Sequence, residues 1–341
     1  MKLRVATRKS ALALAQTTMA ADAIVVANSA SSAESLTYEL VSMTTEGDRR
    51  LDKSLASFGG KGVFIKELEI ALLENRADIA IHSLKDMPAE VLPQFKLAAV
   101  LKREDPRDAF LSRGGAAGVR FMDLPSGARV GTGSIRRIVQ LKALRPDIEY
   151  VPIRGNIQTR ISKLAELDGV VLAAAGLKRM GLADQVTEYF STEQVLPASG
   201  QGILAIETLS DKIAEPSRSD LAQILAQANH VETFCVASAE MAFLKALNAG
   251  CQFPVASFAE FVEDSCASGV RDSSACDDAP RSSLGCGAAK TLKIRGIYWD
   301  EKSEKLLRAE CVGTVEISSP DCVQQSKKLG IALAQEIKNQ L

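Results

Sequence analysis

The sequence contains 341 residues, a length that predicts two or three domains with sizeable hydrophobic cores. Lys and Arg number 41 against 42 Asp and Glu, and the resulting formal charge of −1 argues against a strongly basic nucleic-acid scaffold. Hydrophobic residues make up 46% and charged residues 24%, which argues against a disordered chain. Aromatic residues, at 5%, are too few for a platform that stacks single-stranded nucleic acid. Function must therefore come from the local placement of charge.

No apolar run approaches the ~18 residues that a membrane span needs, and the best internal run covers residues 169–177. Cations before the apolar residues 11–15 resemble the start of a signal peptide, but polar residues at 16–18 interrupt that run. We instead expect a strand over residues 3–6 and a helix that begins near Ser10. No membrane partner is expected.

Short strands alternate with helical patterns, which is typical of α/β lobes built on doubly wound, mainly parallel sheets. The first set has predicted strands at residues 3–6, 36–41, 78–81 and 97–100 and helices at 11–26 and 63–74. The second set has predicted strands at residues 129–131, 149–153 and 170–174 and helices at 134–144, 157–166 and 176–180.

The two sets resemble each other in sequence. RVAT at residues 4–7 matches RVGT at 129–132, and LKDM at 84–87 matches LKRM at 177–180, in the same order. This pattern favours a duplicated lobe. Two similar α/β lobes usually bind a ligand in the cleft between them, at the carboxyl ends of their strands.

The remaining chain predicts a smaller α+β domain. It begins with a helix, continues into strands at residues 292–298 and 309–315, and ends with a helix at 323–337. Residues 263–290 are rich in Ser, Asp, Gly, Ala and Cys and are expected to be a mobile insertion. With a hinge at residues 102–108 and a return near 196–202, we assign lobe 1 to residues 1–101 and 199–220, lobe 2 to 106–197 and the third domain to 221–341.

All seven cysteines lie in the last third of the chain, at positions 235, 251, 266, 276, 286, 311 and 322. An odd number without a CxxC pair favours a reducing compartment, so we expect the cytoplasm, or the plastid stroma if a transit peptide was removed. His82 and His230 are the only histidines, which leaves little for a His-rich metal site or a histidine-based triad. No metal is expected.

Cations concentrate where the predicted strands end: Arg8, Lys9, Lys85, Arg136, Arg137, Arg154, Arg160, Lys178 and Arg179. Helix N-termini at these points add backbone N–H donors and positive dipole ends. Arginine outnumbers lysine, which favours bidentate carboxylate or phosphate partners. The alternative is that several of these arginines are solvated or paired with Glu and Asp. As a set, they predict an anion-binding cleft.

One carboxylate, Asp86 in HSLKDMP, lies among these cations on a turn after a predicted buried strand. It could stabilise a transient cation on a substrate or shuttle a proton. The alternative is an Asx turn or a helix cap.

Cys251 in NAGCQFP lies on a predicted turn, because Gly250 precedes it and Pro254 follows. It is either a thiolate activated by nearby positive charge or a buried small hydrophobe. The glycines at 59–62 fail the phosphate-loop pattern, since Val63 stands where Ser or Thr is needed. Residues 43–61 are predicted to form a mobile lid over the cleft.

These motifs resemble the porphobilinogen deaminase family, also called the hydroxymethylbilane synthase family. The matching segments run in order from residue 6 to residue 260: ATRKSALALAQ, GGKGVFIKELE, DIAIHSLKDMP, DPRDAF, VGTGSIRR, RGNIQTRISKL, AAAGLKRMG, LPASGQGILAIE and NAGCQFPVASFAE. Such broad coverage makes the resemblance specific.

The resemblance implies two periplasmic-binding-protein-like lobes, a third domain and a dipyrromethane cofactor attached by a thioether to Cys251. It implies stepwise deaminating condensation of four porphobilinogen molecules onto that cofactor, followed by hydrolytic release of hydroxymethylbilane. The implied catalytic residue is Asp86. The implied cofactor-binding residues are Cys251, Lys85, Arg136, Arg137, Ser134, Thr132 and Ser83. The implied substrate-binding residues are Arg8, Ser10, Arg154, Asn156, Arg160, Arg179 and Gln201.

The implied partner is porphobilinogen, with the product passed to uroporphyrinogen-III synthase, and we expect a monomer without nucleic acid. The sequence departs from the family pattern at Met241, where many relatives have Arg, at Ala249, which replaces a glycine, and in the longer 263–290 insertion. Two alternatives remain open: a two-lobed anion-binding protein without catalysis, and an α/β enzyme for phosphorylated substrates.

Overall fold

The computed structural model describes residues 1–29, 35–45, 65–213, 220–249, 253–263 and 289–341. Three predicted features lie largely outside the described residues: Cys251, the expected lid from residue 46 onward, and residues 264–288 of the expected insertion, with Cys266, Cys276 and Cys286.

The first part of the chain forms β1 (Lys2–Arg8), α1 (Ala11–Asn28), β2 (Thr37–Met43), α2 (Lys66–Leu73), β3 (Ile79–Ser83) and β4 (Phe95–Val100). The predicted order of strands and helices is confirmed, with ends shifted by a few residues. Helix α1 begins where expected, because Ser10 is extended and its hydroxyl accepts a hydrogen bond from the backbone N–H of Ala13 at 3.3 Å.

The second part forms β5 (Asp108–Ser112), β6 (Arg129–Gly131), α3 (Ile135–Leu144), β7 (Glu149–Val151), α4 (Ile157–Ser162), β8 (Gly169–Ala173), α5 (Ala174–Arg179) and β9 (Glu188–Tyr189). The sequence pattern does not predict β5, because its first residue, Asp108, reads as part of a polar hinge. The helix predicted over residues 157–166 ends at Ser162 and continues as a 3-10 turn, Lys163–Ala165.

The last part forms β10 (Leu204–Leu209), α6 (Asp220–Ala228), α7 (Val231–Ala246), β11 (Val255–Val262), β12 (Ala289–Asp300), β13 (Lys305–Glu316) and α8 (Cys322–Lys338). Beyond β10, these helices and strands agree with the expected α+β domain. Strand β10, like β5 and the two-residue β9, is not predicted by the sequence pattern.

The two five-stranded sheets share one strand order, β2-β1-β3-β10-β4 in lobe 1 and β7-β6-β8-β5-β9 in lobe 2. In each sheet four strands run in one direction, and the fifth, β10 or β5, runs antiparallel to both of its neighbours. The sheets are therefore mainly parallel, as expected, with one antiparallel strand in each. The reason lies in the register: β10 begins opposite Ser83 and β5 begins opposite Ala173, where β3 and β8 end. A strand that arrives from the other lobe enters the sheet at the cleft edge, so it must run antiparallel to β3 or β8.

A matching pair of hydrogen bonds supports the predicted duplication. The backbone N–H of Arg4 in β1 donates to Asp78 Oδ2 at 2.9 Å, and that of Arg129 in β6 donates to Asp168 Oδ2 at 2.8 Å. Both arginines lie in the repeated RVAT and RVGT segments, so sequence and strand order identify the same equivalent positions.

Helix α1 is the one described helix whose length and composition would suit a membrane span, with a mean hydropathy of 1.3 over 18 residues. In this fold its residues Ala20, Ala21 and Ile24 pack with Leu3 and Val5 of β1. It serves as a core helix of lobe 1.

The third domain shares its hydrophobic core with lobe 1. Its antiparallel sheet has the order β11-β12-β13 and packs against α7 and α8. Phe243 and Leu333 from these helices belong to one buried cluster with Leu84 and Met87 of lobe 1. The domain boundaries inferred from the sequence stay a prediction, but this shared core joins the third domain to the turn that contains Asp86.

Replacement of Gly330 by Ala is expected to destabilise the third domain by about 1–3 kcal/mol, because the new methyl group would overlap the carbonyl oxygen of Ala239 in α7. Chemical denaturation measures the effect. The neighbouring exposed residue provides the control, and Ile331→Ala is expected to change stability by less than ~0.5 kcal/mol. Equal denaturation curves for the two variants would contradict this tight contact between α7 and α8.

Candidate active site

A cleft of about 450 Å³ lies between the two lobes, at the edge where β1, β3 and β8 end. Thr132, Ser134 and Arg136 do not belong to its lining, and Cys251 lies outside the described residues. The structure brings eleven predicted site residues together in this lining: Arg8, Ser10, Ser83, Lys85, Asp86, Arg137, Arg154, Asn156, Arg160, Arg179 and Gln201.

Asp86 ends a single 3-10 turn, Leu84–Asp86, that follows β3 directly. Leu84 and Met87 are 1% and 2% exposed, whereas Asp86 is exposed and lines the cleft. The backbone N–H of Leu84 also donates to the carbonyl oxygen of Ile203 at 3.0 Å. Buried neighbours on both sides therefore fix the turn and leave the carboxylate at the cleft surface.

Lys85 lies beside Asp86 and has an unusual pKa. Removal of its ammonium group from bulk water is the largest influence, and it lowers the pKa of Lys85 from 10.5 to about 8. The charges of Asp86 and Asp108 oppose this shift, while Arg137 adds to it. Lys85 is therefore a cation at neutral pH that loses its proton in mildly alkaline solution.

Arg154 and Arg160 reach the cleft from lobe 2. The Nε–H of Arg160 donates to the carbonyl oxygen of Gly155 at 2.8 Å, which orients its guanidinium group. Burial lowers the pKa of Arg160, Arg137 and Arg154 add to this effect, and Asp86 opposes it. Asp86 of lobe 1 and Arg160 of lobe 2 line the same cleft, so the two lobes face each other across it.

Arg136 and Arg137 are tied to a buried carboxylate, Asp108 at the start of β5. Arg137 donates to Asp108 Oδ1 from Nε at 3.0 Å and from Nη2 at 2.7 Å, and Arg136 Nη2 lies 2.8 Å from Oδ2. Burial would raise the pKa of Asp108, but the two guanidinium groups hold it well below its usual range. Only Arg137 of the pair lines the cleft, so direct binding by Arg136 stays a prediction.

Arg179 and Gln201 lie where the chain returns from lobe 2 to lobe 1. Arg179 Nη2 donates to the carbonyl oxygen of Gly202 at 2.6 Å, and burial lowers the pKa of Arg179 to about 10. Gln201 Nε2 donates to the carbonyl oxygen of Pro106 at 2.7 Å and to Asp108 Oδ1 at 2.9 Å. Two segments connect the lobes: the hinge at residues 102–108, which we call the first crossover, and the return at residues 196–202, the second crossover. Both crossovers are thereby bound to the residues that hold the cleft arginines.

Two of the small polar candidates cap helices. Ser10 caps α1, and Asn156 caps α4 through a hydrogen bond from the backbone N–H of Thr159 to Oδ1 at 2.8 Å. Both residues also line the cleft. Their predicted substrate contacts would therefore be made by groups that already position the two helices.

Thr132 and Ser134 are bonded to each other, since the backbone N–H of Ser134 donates to Thr132 Oγ1 at 3.4 Å. The hydroxyl of Ser83 donates to Gln16 Oε1 at 3.1 Å. Gln16 lines the cleft, and the sequence analysis missed it, as it missed Asp108. Two signals could have found them. One is the run of polar residues at 16–18 within the apolar α1, and the other is the second Asp of DPRDAF.

Charge is the dominant property of the assembled site. Among the described lining residues, Asp86 is the one carboxylate, and it faces six cationic side chains: Arg8, Lys85, Arg137, Arg154, Arg160 and Arg179. Such a cleft suits a ligand with several carboxylates, because guanidinium groups bind carboxylates in bidentate geometry. A single anion in this setting can stabilise positive charge that develops on the ligand.

Comparisons with known proteins agree with this chemistry. The family model described as "Porphobilinogen deaminase, dipyromethane cofactor binding domain" matches residues 3–215, and that described as "Porphobilinogen deaminase, C-terminal domain" matches residues 234–339. Among solved structures, the substrate-binding protein of a methionine transporter from Streptococcus pneumoniae is 10% identical with a TM-score of 0.41, over 70% of this chain and 93% of that chain.

Relatives named porphobilinogen deaminase match along most of the chain. The protein from Syntrophus aciditrophicus (strain SB) is 41% identical over 339 residues, which cover 98% of this chain and 94% of the relative. The protein from Clostridium kluyveri (strain NBRC 12016) is 47% identical over 260 residues, which cover 76% of this chain and 84% of the relative. The chain belongs to the porphobilinogen deaminase family.

Proposed function

We propose that the cleft between the lobes carries out the family's reaction with Asp86 as its catalytic carboxylate. The protein is a transferase of tetrapyrrole biosynthesis that condenses porphobilinogen, with loss of ammonia, onto a dipyrromethane cofactor. Hydrolysis then releases hydroxymethylbilane. The observation that carries the assignment of roles is the set of six cations around one carboxylate.

The side chains of the cleft fit the dipyrromethane cofactor. Each of its two pyrrole rings bears an acetate and a propionate, so the group needs cations for four carboxylates. Ser83, Lys85 and Arg137 would hold it from the cleft lining, with further contacts from Thr132, Ser134 and Arg136 outside that lining and with the thioether at Cys251. When bound, the group supplies a pyrrole carbon as the nucleophile that the first substrate molecule joins.

The remaining arginines are suited to porphobilinogen itself. Arg8 lies on the lobe 1 side and Arg154, Arg160 and Arg179 on the lobe 2 side, so substrate carboxylates can be held from both sides of the cleft. Holding the two reactants in one cleft makes each condensation effectively intramolecular. Ser10, Asn156 and Gln201 would complete the substrate contacts from the cleft lining: all three belong to it.

Asp86 acts on the charge that appears during deamination. Loss of ammonia from porphobilinogen leaves an azafulvene-like cation, whose positive charge is shared with the pyrrole nitrogen. The Asp86 carboxylate can accept the pyrrole N–H and oppose that charge, and once bound substrate covers the carboxylate and excludes water, one such contact contributes about 3–4 kcal/mol. A protein that only captures anions would need neither this carboxylate nor a covalent anchor, and the relatives' names do not favour that alternative.

Three finer expectations belong to the same proposal. The protein would act as a monomer, in the cytoplasm or in the plastid stroma. Its product would pass to uroporphyrinogen-III synthase, because a linear tetrapyrrole with a hydroxymethyl end has still to be closed into a ring.

Asp86→Asn is expected to fold and to keep the covalent cofactor, but to turn over at least about a hundredfold more slowly, because it removes the charge that opposes the substrate cation. Steady-state kinetics with porphobilinogen and intact-protein mass spectrometry measure both properties. Asp211→Asn changes an exposed carboxylate of the same lobe and is expected to retain full activity. Near-normal turnover of Asp86→Asn would remove Asp86 from its role.

Cys251→Ala is expected to lose the mass of two linked pyrrole units from the purified protein, because the thioether has no sulfur to form on. Intact-protein mass spectrometry provides the measurement. Cys311→Ala, which changes a half-buried thiol of the same domain, is expected to keep the added mass. A wild-type protein that is fully active without added mass would refute the cofactor assignment.

Lys85 should react with an amine-acylating reagent more readily in Cys251→Ala than in wild type. In the cofactor-free protein its pKa of about 8 leaves about half of the amine uncharged at pH 8, whereas cofactor carboxylates would raise that pKa. The acylation rate, followed by peptide mass spectrometry across the alkaline range, should therefore show a higher midpoint pH in wild type. Exposed Lys96 should label alike in both proteins. Equal midpoints for Lys85 would show that the cofactor carboxylates do not approach it.

A further inference from the structure

Glu240 of α7 is a fully buried carboxylate that binds three separate segments of the chain. Its Oε1 accepts hydrogen bonds from Arg103 Nη1 at 2.7 Å and from the backbone N–H of Ala259 at 2.8 Å. Its Oε2 accepts the backbone N–H of Gly200 at 2.6 Å. Arg103 lies on the first crossover between the lobes and Gly200 on the second. One carboxylate of the third domain therefore holds both crossovers.

Arg103 strengthens this junction through contacts of its own. Its Nε–H donates to the carbonyl oxygen of Gln201 at 2.9 Å, and its backbone N–H donates to Thr233 Oγ1 of α7 at 3.2 Å. Its guanidinium carbon lies 4.7 Å from the centre of the Phe258 ring in β11. The two crossovers are thus bound to each other and to the third domain at one point.

The second crossover packs directly on the turn that carries Asp86. Gly200 has a φ of +75°, and a Cβ atom there would lie 2.8 Å from Leu84 Cγ and 3.0 Å from the backbone nitrogen of Lys85. No side chain fits between the two backbones. A shift of Gly200 would therefore be passed directly to Lys85 and to Asp86 beside it.

We propose that Glu240 is a positioning residue for the condensation reaction. By holding Gly200 against the Leu84–Asp86 turn, it fixes where the Asp86 carboxylate meets the substrate cation. Helix α7, which carries Glu240, ends at Ala246, shortly before Cys251 in the chain. One helix thus positions the catalytic turn and leads to the residue that anchors the cofactor. This inference rests on the proposed role of Asp86.

The position of Glu240 predicts an effect on kcat rather than on KM. Arg160 and Arg137 donate hydrogen bonds to the carbonyl oxygens of Gly155 and Val171 within lobe 2, not to Glu240, so substrate carboxylates should still be bound. Displacement of the catalytic carboxylate by a fraction of an ångström would instead weaken an interaction that forms fully only in the transition state.

Two variants test this proposal. Glu240→Gln has nearly the same shape but no charge for Arg103, and Glu240→Asp keeps the charge on a shorter arm that cannot reach both backbone N–H groups. Each is expected to keep the covalent cofactor and to lower kcat by about tenfold, with KM changed less than about twofold. If Glu240→Gln does not fold, Glu240→Asp gives the answer.

The control is Glu260→Gln, which neutralises one of the two carboxylates bound to Arg295, at 2.9 Å within the same domain, but touches neither crossover. It is expected to keep wild-type kcat even where it lowers the melting temperature. If Glu240 had only a structural role, its variants would behave like Glu260→Gln, with a lower melting temperature and an unchanged kcat. That result would overturn the proposal. A change in KM alone would overturn it too.

Asp86→Asn, measured in parallel, separates this inference from the proposed function. Normal turnover of Asp86→Asn would remove both. Slow turnover of Asp86→Asn together with wild-type kcat in the folded Glu240 variants would refute the positioning role alone and leave the proposed function intact.

Discussion

Repulsion among like charges is the constraint on which the site depends. Six cationic side chains line one cleft of about 450 Å³, so each lies in the field of several like charges. Burial is the largest cause of the lowered pKa values of Lys85 and Arg160, and neighbouring arginines lower both values further. An anionic ligand relieves this repulsion, so the cations of the empty protein are preorganised to bind it. The carboxylate of Asp108 makes the arrangement tolerable by neutralising charge behind the cleft wall.

The third domain is part of the machinery rather than an appendage. Its hydrophobic core contains Leu84, which begins the turn that contains Asp86, and Met87, which follows it, and its buried Glu240 holds both crossovers. A hinge between two lobes would otherwise permit the cleft to open with little effect on the turn. Here the crossovers, the turn and the domain that contains Cys251 are bound at adjacent points, so any movement of the lobes must keep those points together.

Much of the site could be predicted because charged residues at strand ends follow a simple rule. The parallel strands of both lobes were recognisable from short apolar runs, and Asp86 and the arginines follow those runs directly. Strands β5 and β10 could not be predicted, because their position depends on partner strands far away in the chain. The burial of Arg136 escaped for a similar reason, since Asp108 reads locally as a hinge residue. Gln16 could not be assigned to the cleft, because a single amide in an apolar helix does not indicate a binding residue until the position of the opposite lobe is known.

The exchange of β5 and β10 between the lobes has a consequence for the order in which the protein can form. As the nascent chain leaves the ribosome, the first sheet has its three parallel strands early, but the strand that separates β3 from β4 arrives only with residues Leu204–Leu209. Until then β4 lacks the strand with which it pairs, so the sheet of lobe 1 stays incomplete until lobe 2 has been synthesised. The amino-terminal half therefore cannot mature independently, and a truncated message would yield an exposed, unfinished sheet edge.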